Sequence, residues 1–144
     1  MSIHLRPGTV DDREHIIDFD QIAQSDPQRV DFIQRVIDSE LCLVAERDSL
    51  VIAYGVLEYT FFDNGFISMI YVASTARRLG VGRLLVNALV ERCVTPKLFT
   101  STNQSNVPMQ RLLENLGFIQ SGIIYNLDPG DPELIYFMDR QVEA

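Results

Sequence analysis

Three apolar segments in the middle of the chain constrain its fold more than any other feature. Residues 41–46, 51–60 and 66–73 are rich in β-branched and aromatic side chains, a composition that predicts strands. Asp48-Ser49 separates the first two segments, and Asn64-Gly65, a favoured hairpin dipeptide, separates the last two. The sequence therefore predicts three consecutive antiparallel strands.

Helical patterns precede these strands. After a short strand over residues 3–6, a Thr9-x-x-Asp12 capping box opens one helix and Asp26-Pro27 opens a second. The first helix is predicted to bury a face made of Ile16, Phe19, Ile22 and Ala23.

The remaining elements follow residue 80. A third helix is predicted with Leu84, Leu85, Ala88 and Leu89 on its apolar face, then a strand over 98–102. Ser105 or Asn106 caps a fourth helix that Gly117 ends, and strands over 118–127 and 133–140 follow. This order predicts a mixed α/β sheet of about seven strands with four helices, in a single domain over residues 1–144.

Composition and charge exclude several function classes. The 144 residues carry a formal net charge of −8, which argues against a nucleic-acid partner because such binding needs a basic face. No apolar run approaches the ~20 residues that a membrane span requires, so no membrane partner is expected. Cys42 and Cys93 form no CxxC motif, and we expect them to be reduced core thiols of a cytoplasmic protein.

The segment TARRLGVGRLLV, residues 75–86, joins the third strand to the third helix. Its Gly-x-Gly fits neither the dinucleotide fingerprint nor the P-loop. One interpretation is an ordinary tight turn with solvated arginines. The other is a phosphate cradle, because glycines allow close backbone approach and a helix N-terminus offers unpaired N–H groups with partial positive charge.

Two motifs together resemble those of GNAT-family N-acetyltransferases. The first runs from a strand through Arg/Gln-x-x-Gly-x-Gly/Ala into a helix, and falls here on Arg77, Gly80 and Gly82. The second is an Asn, a helix and then Gly-Phe, matched here by NVPMQRLLENLGF, residues 106–118. The order of elements matches this family over nearly the whole chain.

This resemblance implies acetyl-CoA as co-substrate and a set of residues that bind it. Backbone N–H groups of the loop would hold the pyrophosphate, main-chain groups of two strand residues would pair with the pantetheine amides, and two asparagines would contact the pantetheine arm or a phosphate. The loop residues are Arg77, Arg78, Leu79, Gly80, Val81, Gly82 and Arg83, the strand residues are Ile70 and Val72, and the asparagines are Asn103 and Asn106. Arg77 serves either the ligand or the loop structure, and Asn103 is equally well explained as a turn residue.

The second motif departs from the family at one position. Many members place a tyrosine seven residues after the motif asparagine, where it protonates the leaving thiolate, but this chain has Leu113 there. Tyr125 is our first candidate for a replacement acid, with Tyr71 and Tyr136 as alternatives. Water is another proton source, since a thiol of pKa ~8.5 is a tolerable leaving group. A non-catalytic CoA-binding module is the remaining explanation.

Other chemistry is less strongly indicated. Glu58 is the candidate general base for the amine, against the alternative of a solvent-facing strand residue. The two histidines have no partners at ligand spacing, so no metal is expected, and no nucleophile–base grouping favours a covalent acyl-enzyme. The predicted function is therefore transfer of an acetyl group from acetyl-CoA to a primary amine of a small molecule or peptide by direct attack. The acidic DPGDP turn would favour a cationic amine, and the exposed sheet edges are compatible with a homodimer.

Overall fold

The three central strands form part of one seven-stranded mixed sheet. A computed structural model describes residues 2–140, and within them the sheet has the order β1-β2-β3-β4-β5-β7-β6. The strands are β1 (His4–Pro7), β2 (Cys42–Arg47), β3 (Leu50–Phe61), β4 (Asn64–Val72), β5 (Lys97–Asn103), β6 (Ile119–Ile124) and β7 (Glu133–Asp139). The helices are α1 (Arg13–Phe19), α2 (Pro27–Asp38), α3 (Val81–Arg92) and α4 (Val107–Asn115), with 3₁₀ turns at Val10–Asp12 and Ser74–Ala76. The predicted mixed α/β class, with about seven strands and four helices, is confirmed.

One of the strand pairs that we describe is parallel, and the others are antiparallel. β1 with β2, β2 with β3, β5 with β7 and β6 with β7 are antiparallel. β4 and β5 are parallel, with Gly65 opposite Leu98 and Ile67 opposite Thr100. This parallel pair requires a crossover, and α3 occupies the connection between the two strands.

The chain packs as two compact units, residues 2–57 with 69–91 and residues 58–68 with 92–140. The first unit has a core of apolar side chains from α1, α2, β2 and β3, with Ile16, Ile33, Val36, Val44 and Val56 fully buried. The second contains the whole of β5, β6, β7 and α4. The single domain over residues 1–144 stays a prediction.

Several predicted caps are confirmed. Asp26 accepts a hydrogen bond from the Gln28 N–H at 2.9 Å and starts α2. Asn106, rather than Ser105, caps α4 by accepting from the Met109 N–H at 3.2 Å. Gly117, which follows α4, has the left-handed φ of +100° that favours glycine.

Two local predictions are wrong. The β3–β4 turn lies at Phe62-Asp63, both left-handed with φ of 53° and 64°, and Asn64-Gly65 already belongs to β4. The first helix ends at Phe19, because the Asp20 carboxylate accepts from the N–H groups of Ile22 and Ala23 and turns the chain there.

Leu84 and the end of β6 also differ from expectation. Leu84 is exposed, and the buried face of α3 is made of Val81, Leu85, Val86 and Leu89. β6 ends at Ile124, so Tyr125 follows the strand instead of lying on it.

A buried polar cluster holds the turn between α1 and α2 in the first unit. Asp20 is fully buried and accepts hydrogen bonds from the Tyr54 hydroxyl at 2.6 Å and from Arg29 Nη1 at 2.9 Å. Because the Arg29 guanidinium compensates the buried carboxylate, the cluster avoids an isolated buried charge.

Replacing Tyr54 by phenylalanine is expected to lower the free energy of unfolding by about 2 kcal/mol. The change removes one hydrogen bond to a buried carboxylate, and bonds to charged groups contribute about 1.5–3 kcal/mol. Urea unfolding measures the loss. Tyr125→Phe is the matched control, since its exposed hydroxyl predicts almost no change. Equal stability of the two variants would contradict the role of the cluster.

An ion pair near the N-terminus predicts a pH dependence of stability. Arg6 donates to both Asp12 carboxylate oxygens at 2.8 and 2.9 Å, and these bonds lower the pKa of the buried Asp12. The stabilisation is therefore fully present above the unfolded-state pKa of ~3.9 and is lost as the pH falls through the lower folded-state pKa. We expect Asp12→Asn to be less stable than the wild type at pH 7, and the difference to shrink below pH ~4. Asp11→Asn, on the exposed neighbour, is the control, and a difference that is constant with pH would contradict the assignment.

Candidate active site

The glycine loop of the first unit connects the end of β4 to the start of α3. After the 3₁₀ turn, Arg78 and Gly80 adopt left-handed φ values of 69° and 79°. If a Cβ is built on Gly80, no atom lies within 4 Å of it apart from those of Gly80 and the two adjacent residues. The space beside the Gly80 backbone is therefore open. α3 follows at once, and the N–H groups of its first turn have no partners from a preceding helical turn. Backbone, helix terminus and open space together fit an anionic ligand.

The predicted phosphate-binding residues lie partly in the glycine loop and partly in the first turn of α3. Arg77, Arg78, Leu79 and Gly80 lie in the loop, and Val81, Gly82 and Arg83 form the first residues of α3. The side chains of Arg78 and Arg83 are exposed, so their charges add to the positive end of the helix dipole.

The Arg77 side chain contacts the last two residues of β4. Its Nε donates to the Val72 carbonyl at 3.0 Å, and its guanidinium lies 5.7 Å from the centre of the Tyr71 ring. Of the two roles considered for Arg77, these contacts support the one in loop structure.

The strand residues of the predicted site precede the loop on β4. Ile70 and Val72 are half-buried and alternate with Tyr71, so their side chains lie on the opposite face of the strand. The Tyr71 hydroxyl accepts a hydrogen bond from the Gln21 N–H at 3.0 Å. This contact joins β4 to the turn between α1 and α2. The first unit therefore brings together Ile70, Val72 and the loop.

The two predicted asparagines lie together in the second unit, where β5 leads into α4. The Asn106 N–H donates to the Asn103 carbonyl at 2.9 Å. Asn103 Nδ2 donates to the Asp128 carboxylate at 2.9 Å, and Asn106 Oδ1 is the cap of α4. Part of each side chain thus serves the local fold.

The acidic loop between β6 and β7 is held by this same turn. The Asp131 carboxylate accepts from the Ser105 N–H at 2.9 Å and from Ser105 Oγ at 2.6 Å, while Glu133 accepts from Ser101 Oγ at 2.6 Å. The DPGDP segment is a turn, as its composition predicts, and hydrogen bonds from neutral donors hold its carboxylates in position.

Glu58 lies in β3 within the second unit and is only 8% exposed, so the solvent-facing alternative is wrong. Its Oε2 accepts a hydrogen bond of 2.5 Å from Ser68 Oγ. Sequence reasoning did not predict this contact. The available signal was a polar residue inside an otherwise apolar strand.

The tyrosines differ in their suitability as proton donors. Tyr136 is fully buried, and burial together with Glu114, 3.4 Å from its hydroxyl, raises its pKa. Tyr125 is 64% exposed just after β6. Leu113, where many family members have tyrosine, is fully buried in the apolar core. Tyr125 is therefore accessible to a reaction partner, whereas Tyr136 and position 113 are not.

Within residues 2–140, no group of three or more histidine, cysteine or carboxylate side chains could hold a metal ion. None of the helices in that range combines the length and apolar character needed to cross a bilayer.

Comparison with protein families identifies the chain. The model of the acetyltransferase (GNAT) family matches residues 12–118, which include both the glycine loop and the asparagine motif. The chain belongs to the GNAT family of acetyltransferases. This GNAT protein is accordingly an acyltransferase, and the family resemblance noted in its two motifs is confirmed.

Solved structures agree with this assignment. A GNAT-family acetyltransferase from Bacillus cereus ATCC 10987 is 32% identical with a TM-score of 0.90, covering 99% of this chain and 100% of the other. YncA from Salmonella typhimurium, solved with its cofactor acetyl-CoA, is 17% identical with a TM-score of 0.79 and coverages of 100% and 97%. The diaminobutyrate acetyltransferase EctA from Paenibacillus lautus, solved with L-2,4-diaminobutyric acid and coenzyme A, is 15% identical with a TM-score of 0.75 and coverages of 94% and 94%. The last two support the fold alone. No curated protein sequence matches the chain.

Proposed function

We propose that this enzyme transfers the acetyl group of acetyl-CoA to the primary amine of a small molecule or a peptide, by direct attack within a ternary complex. The observation that carries the proposal is the open, left-handed loop that leads into α3 in a GNAT-family chain. YncA and EctA, which share the fold, were solved with acetyl-CoA and coenzyme A respectively.

The loop and its strand would hold the donor. N–H groups from Arg78 to Arg83 bind the pyrophosphate, because they combine unpaired donors with the positive end of α3. Main-chain groups of Ile70 and Val72 pair with the pantetheine amides. Asn103 and Asn106 contribute a smaller share, since part of each side chain is already used within the second unit.

Acetyl-CoA supplies an acetyl group activated as a thioester. Residues of this chain accept the proton of the amine and donate a proton to the thiolate. The amine attacks as the neutral species, so a protonated acceptor first loses one proton. In the transfer itself, a C–N bond forms to the amine, the C–S bond breaks, and a further proton leaves the nitrogen while the thiolate takes one up. Glu58 is our candidate base, because its carboxylate is buried and fixed by Ser68. Tyr125 is the candidate acid that returns a proton to the thiolate, and a backbone N–H near Val72 polarises the carbonyl.

The acceptor class and the cellular compartment are proposed from the charges of the chain and the state of its cysteines. The fixed carboxylates of Asp128, Asp131 and Glu133 favour a cationic amine as acceptor. We place the reaction in the cytoplasm, since Cys42 and Cys93 are both free and buried. The net charge of −8 argues against a nucleic-acid substrate.

The test is a thiol-release assay with acetyl-CoA and a panel of small diamines, amino acids and peptides. We expect release that depends on one class of amine, accompanied by an acetylated product in mass spectrometry. Binding of CoA in calorimetry without release for any acceptor would favour the non-catalytic module instead. Absence of CoA binding would contradict the donor site itself.

A further inference from the structure

A cavity of about 480 Å³ opens in the second unit, and its walls are mainly apolar. Phe61, Phe62 and Phe99 line it from the β3–β4 hairpin and from β5, and the rings of Phe61 and Phe99 have centres 5.1 Å apart. Ile123 and Ile135 line it from β6 and β7. We call this space the phenylalanine cavity. Its volume and apolar walls are typical of a site for a small molecule.

A glycine in β6 keeps the phenylalanine cavity open. Gly122 lines the cavity and lies opposite Ile135 in the β6–β7 pairing. If a Cβ is built on Gly122, no atom lies within 4 Å of it apart from those of Gly122 and the two adjacent residues. The register shift before Gly122 does not require glycine, because its φ is not left-handed. Glycine weakens a strand, and one that neither packing nor backbone conformation requires indicates the close approach of a ligand.

Two carboxylates lie close to the phenylalanine rings, each held by a serine. Ser68 donates to Glu58 at 2.5 Å, and Ser101 donates to Glu133 at 2.6 Å. Each serine follows a phenylalanine of its own strand by two residues, so it lies on the same face as that ring, about 7 Å further along the strand. For Ser101 this phenylalanine is Phe99, which lines the cavity. An apolar space and two negative charges therefore adjoin on one face of the second unit.

We propose that the acceptor is a primary amine on an apolar body, with the body in the phenylalanine cavity and the nitrogen beside Glu58 and Glu133. This inference rests on the proposed function, because it names the class of amine that the enzyme acetylates. An alkylamine is cationic near neutral pH, as lysine is, and so complements the two carboxylates. The apolar body gains free energy by leaving water for the walls of the cavity.

The same surroundings disfavour other occupants. A second ammonium group at the far end of the acceptor would be buried among phenylalanine rings, which is costly for a charge. Lys97, which also lines the cavity, would repel it. A neutral apolar ligand would fill the cavity but bring no positive charge to the two carboxylates. Size sets no obstacle, since ~150 Å³ is enough to hold benzene, and this cavity is about 480 Å³.

The test compares kcat/KM for the acetylation of ethylamine, butylamine, hexylamine and 1,5-diaminopentane. The three alkylamines present the same reacting group, and 1,5-diaminopentane has the length of hexylamine but ends in a second ammonium group. We expect kcat/KM to rise about tenfold or more with each two-carbon extension, because every methylene that enters an apolar pocket improves binding of the transition state. The diamine should be at least about tenfold poorer than hexylamine.

Gly122→Leu places a side chain in the open space of the cavity. We expect this variant to lower the ratio of kcat/KM for hexylamine to that for ethylamine by about tenfold or more. Gln120→Leu is the matched control, since Gln120 is an exposed residue of the same strand outside the lining of the cavity. It should keep the wild-type ratio. Both substrates are measured on one preparation, so a partly unfolded variant does not change the ratio.

Equal kcat/KM for ethylamine and hexylamine, or better transfer to the diamine than to hexylamine, would overturn the inference and leave the proposed function intact. A ratio that Gly122→Leu does not change would also overturn it. Failure to acetylate any amine would contradict the proposed function, and calorimetry of hexylamine with the CoA-loaded protein then tests the site alone. Tighter binding of hexylamine than of 1,5-diaminopentane, weakened by Gly122→Leu, would support the site, and equal binding would overturn it.

Discussion

Replacing Glu58 by glutamine is expected to lower kcat/KM for acetyl transfer by about 10² to 10⁴, the usual contribution of a general base. Glutamine keeps the volume of the side chain and an oxygen that accepts the Ser68 hydroxyl, which lies 2.5 Å from the native carboxylate. The substitution therefore removes the proton acceptor while preserving the local packing. Affinity for CoA should not change, because Glu58 is not among the residues assigned to the donor.

Glu114→Gln is the matched control for this experiment. Glu114 is also a carboxylate of the second unit that accepts from a hydroxyl, in this case that of Tyr136 at 3.4 Å, and it has no part in the proposed site. Steady-state rates with the acceptor found in the amine panel, together with thermal unfolding of both variants, separate chemistry from folding. A Glu58→Gln enzyme with wild-type stability and more than half of the wild-type kcat/KM would contradict the role of Glu58.

Replacing Gly80 by valine is expected to raise the Kd for CoA about a hundredfold. Gly80 has a φ of +79°, which a β-branched residue adopts only with strain, so the loop would relax to another conformation. Relaxation would misdirect the N–H groups that bind the pyrophosphate, and each hydrogen bond to a charged group contributes about 1.5–3 kcal/mol. Calorimetry with CoA measures the change.

Gly117→Val separates loss of the loop from general backbone strain. Gly117 also has a left-handed φ, of +100°, but it lies after α4. We expect this variant to lose stability and to keep its affinity for CoA within about twofold, well under the tenfold that 1.4 kcal/mol represents. If both variants bind CoA as tightly as the wild type, the loop is not the pyrophosphate site.

Caps and composition made most of the fold predictable. Asp26 with Pro27, Asn106 and Gly117 each satisfy or stop a helix end through local chemistry, so their roles can be inferred from a few neighbouring residues. The element order follows from such local signals, and the mixed seven-stranded sheet follows from that order.

The hairpin error has a tertiary cause. A Cβ built on Gly65 would lie 2.5 Å from Cys93 Sγ and 3.1 Å from Thr95 Oγ1. Glycine is therefore needed at this position because β4 packs closely against Cys93 and Thr95, and not for the turn, which Phe62 and Asp63 form despite their side chains. A dipeptide propensity contains no information about a partner 28 residues away.

The candidate site was only partly predictable for a related reason. Motif residues from Arg77 to Arg83 are contiguous, so one segment of sequence identifies the loop. The burial of Glu58 and its bond to Ser68 depend on the packing of β3 and β4 in the folded chain. A polar residue within an apolar strand is visible in the sequence, but the sequence does not show which partner that residue bonds in the folded chain.

The bond from Arg77 to the Val72 carbonyl has a consequence for sequence tolerance. The motif that this chain resembles accepts either arginine or glutamine at its first position, and both side chains carry an N–H donor. Arg77 uses its Nε to fasten the loop to the last residue of β4. We therefore expect a glutamine at residue 77, which keeps an N–H donor, to preserve this tie, and a residue without a donor to free the loop from its strand.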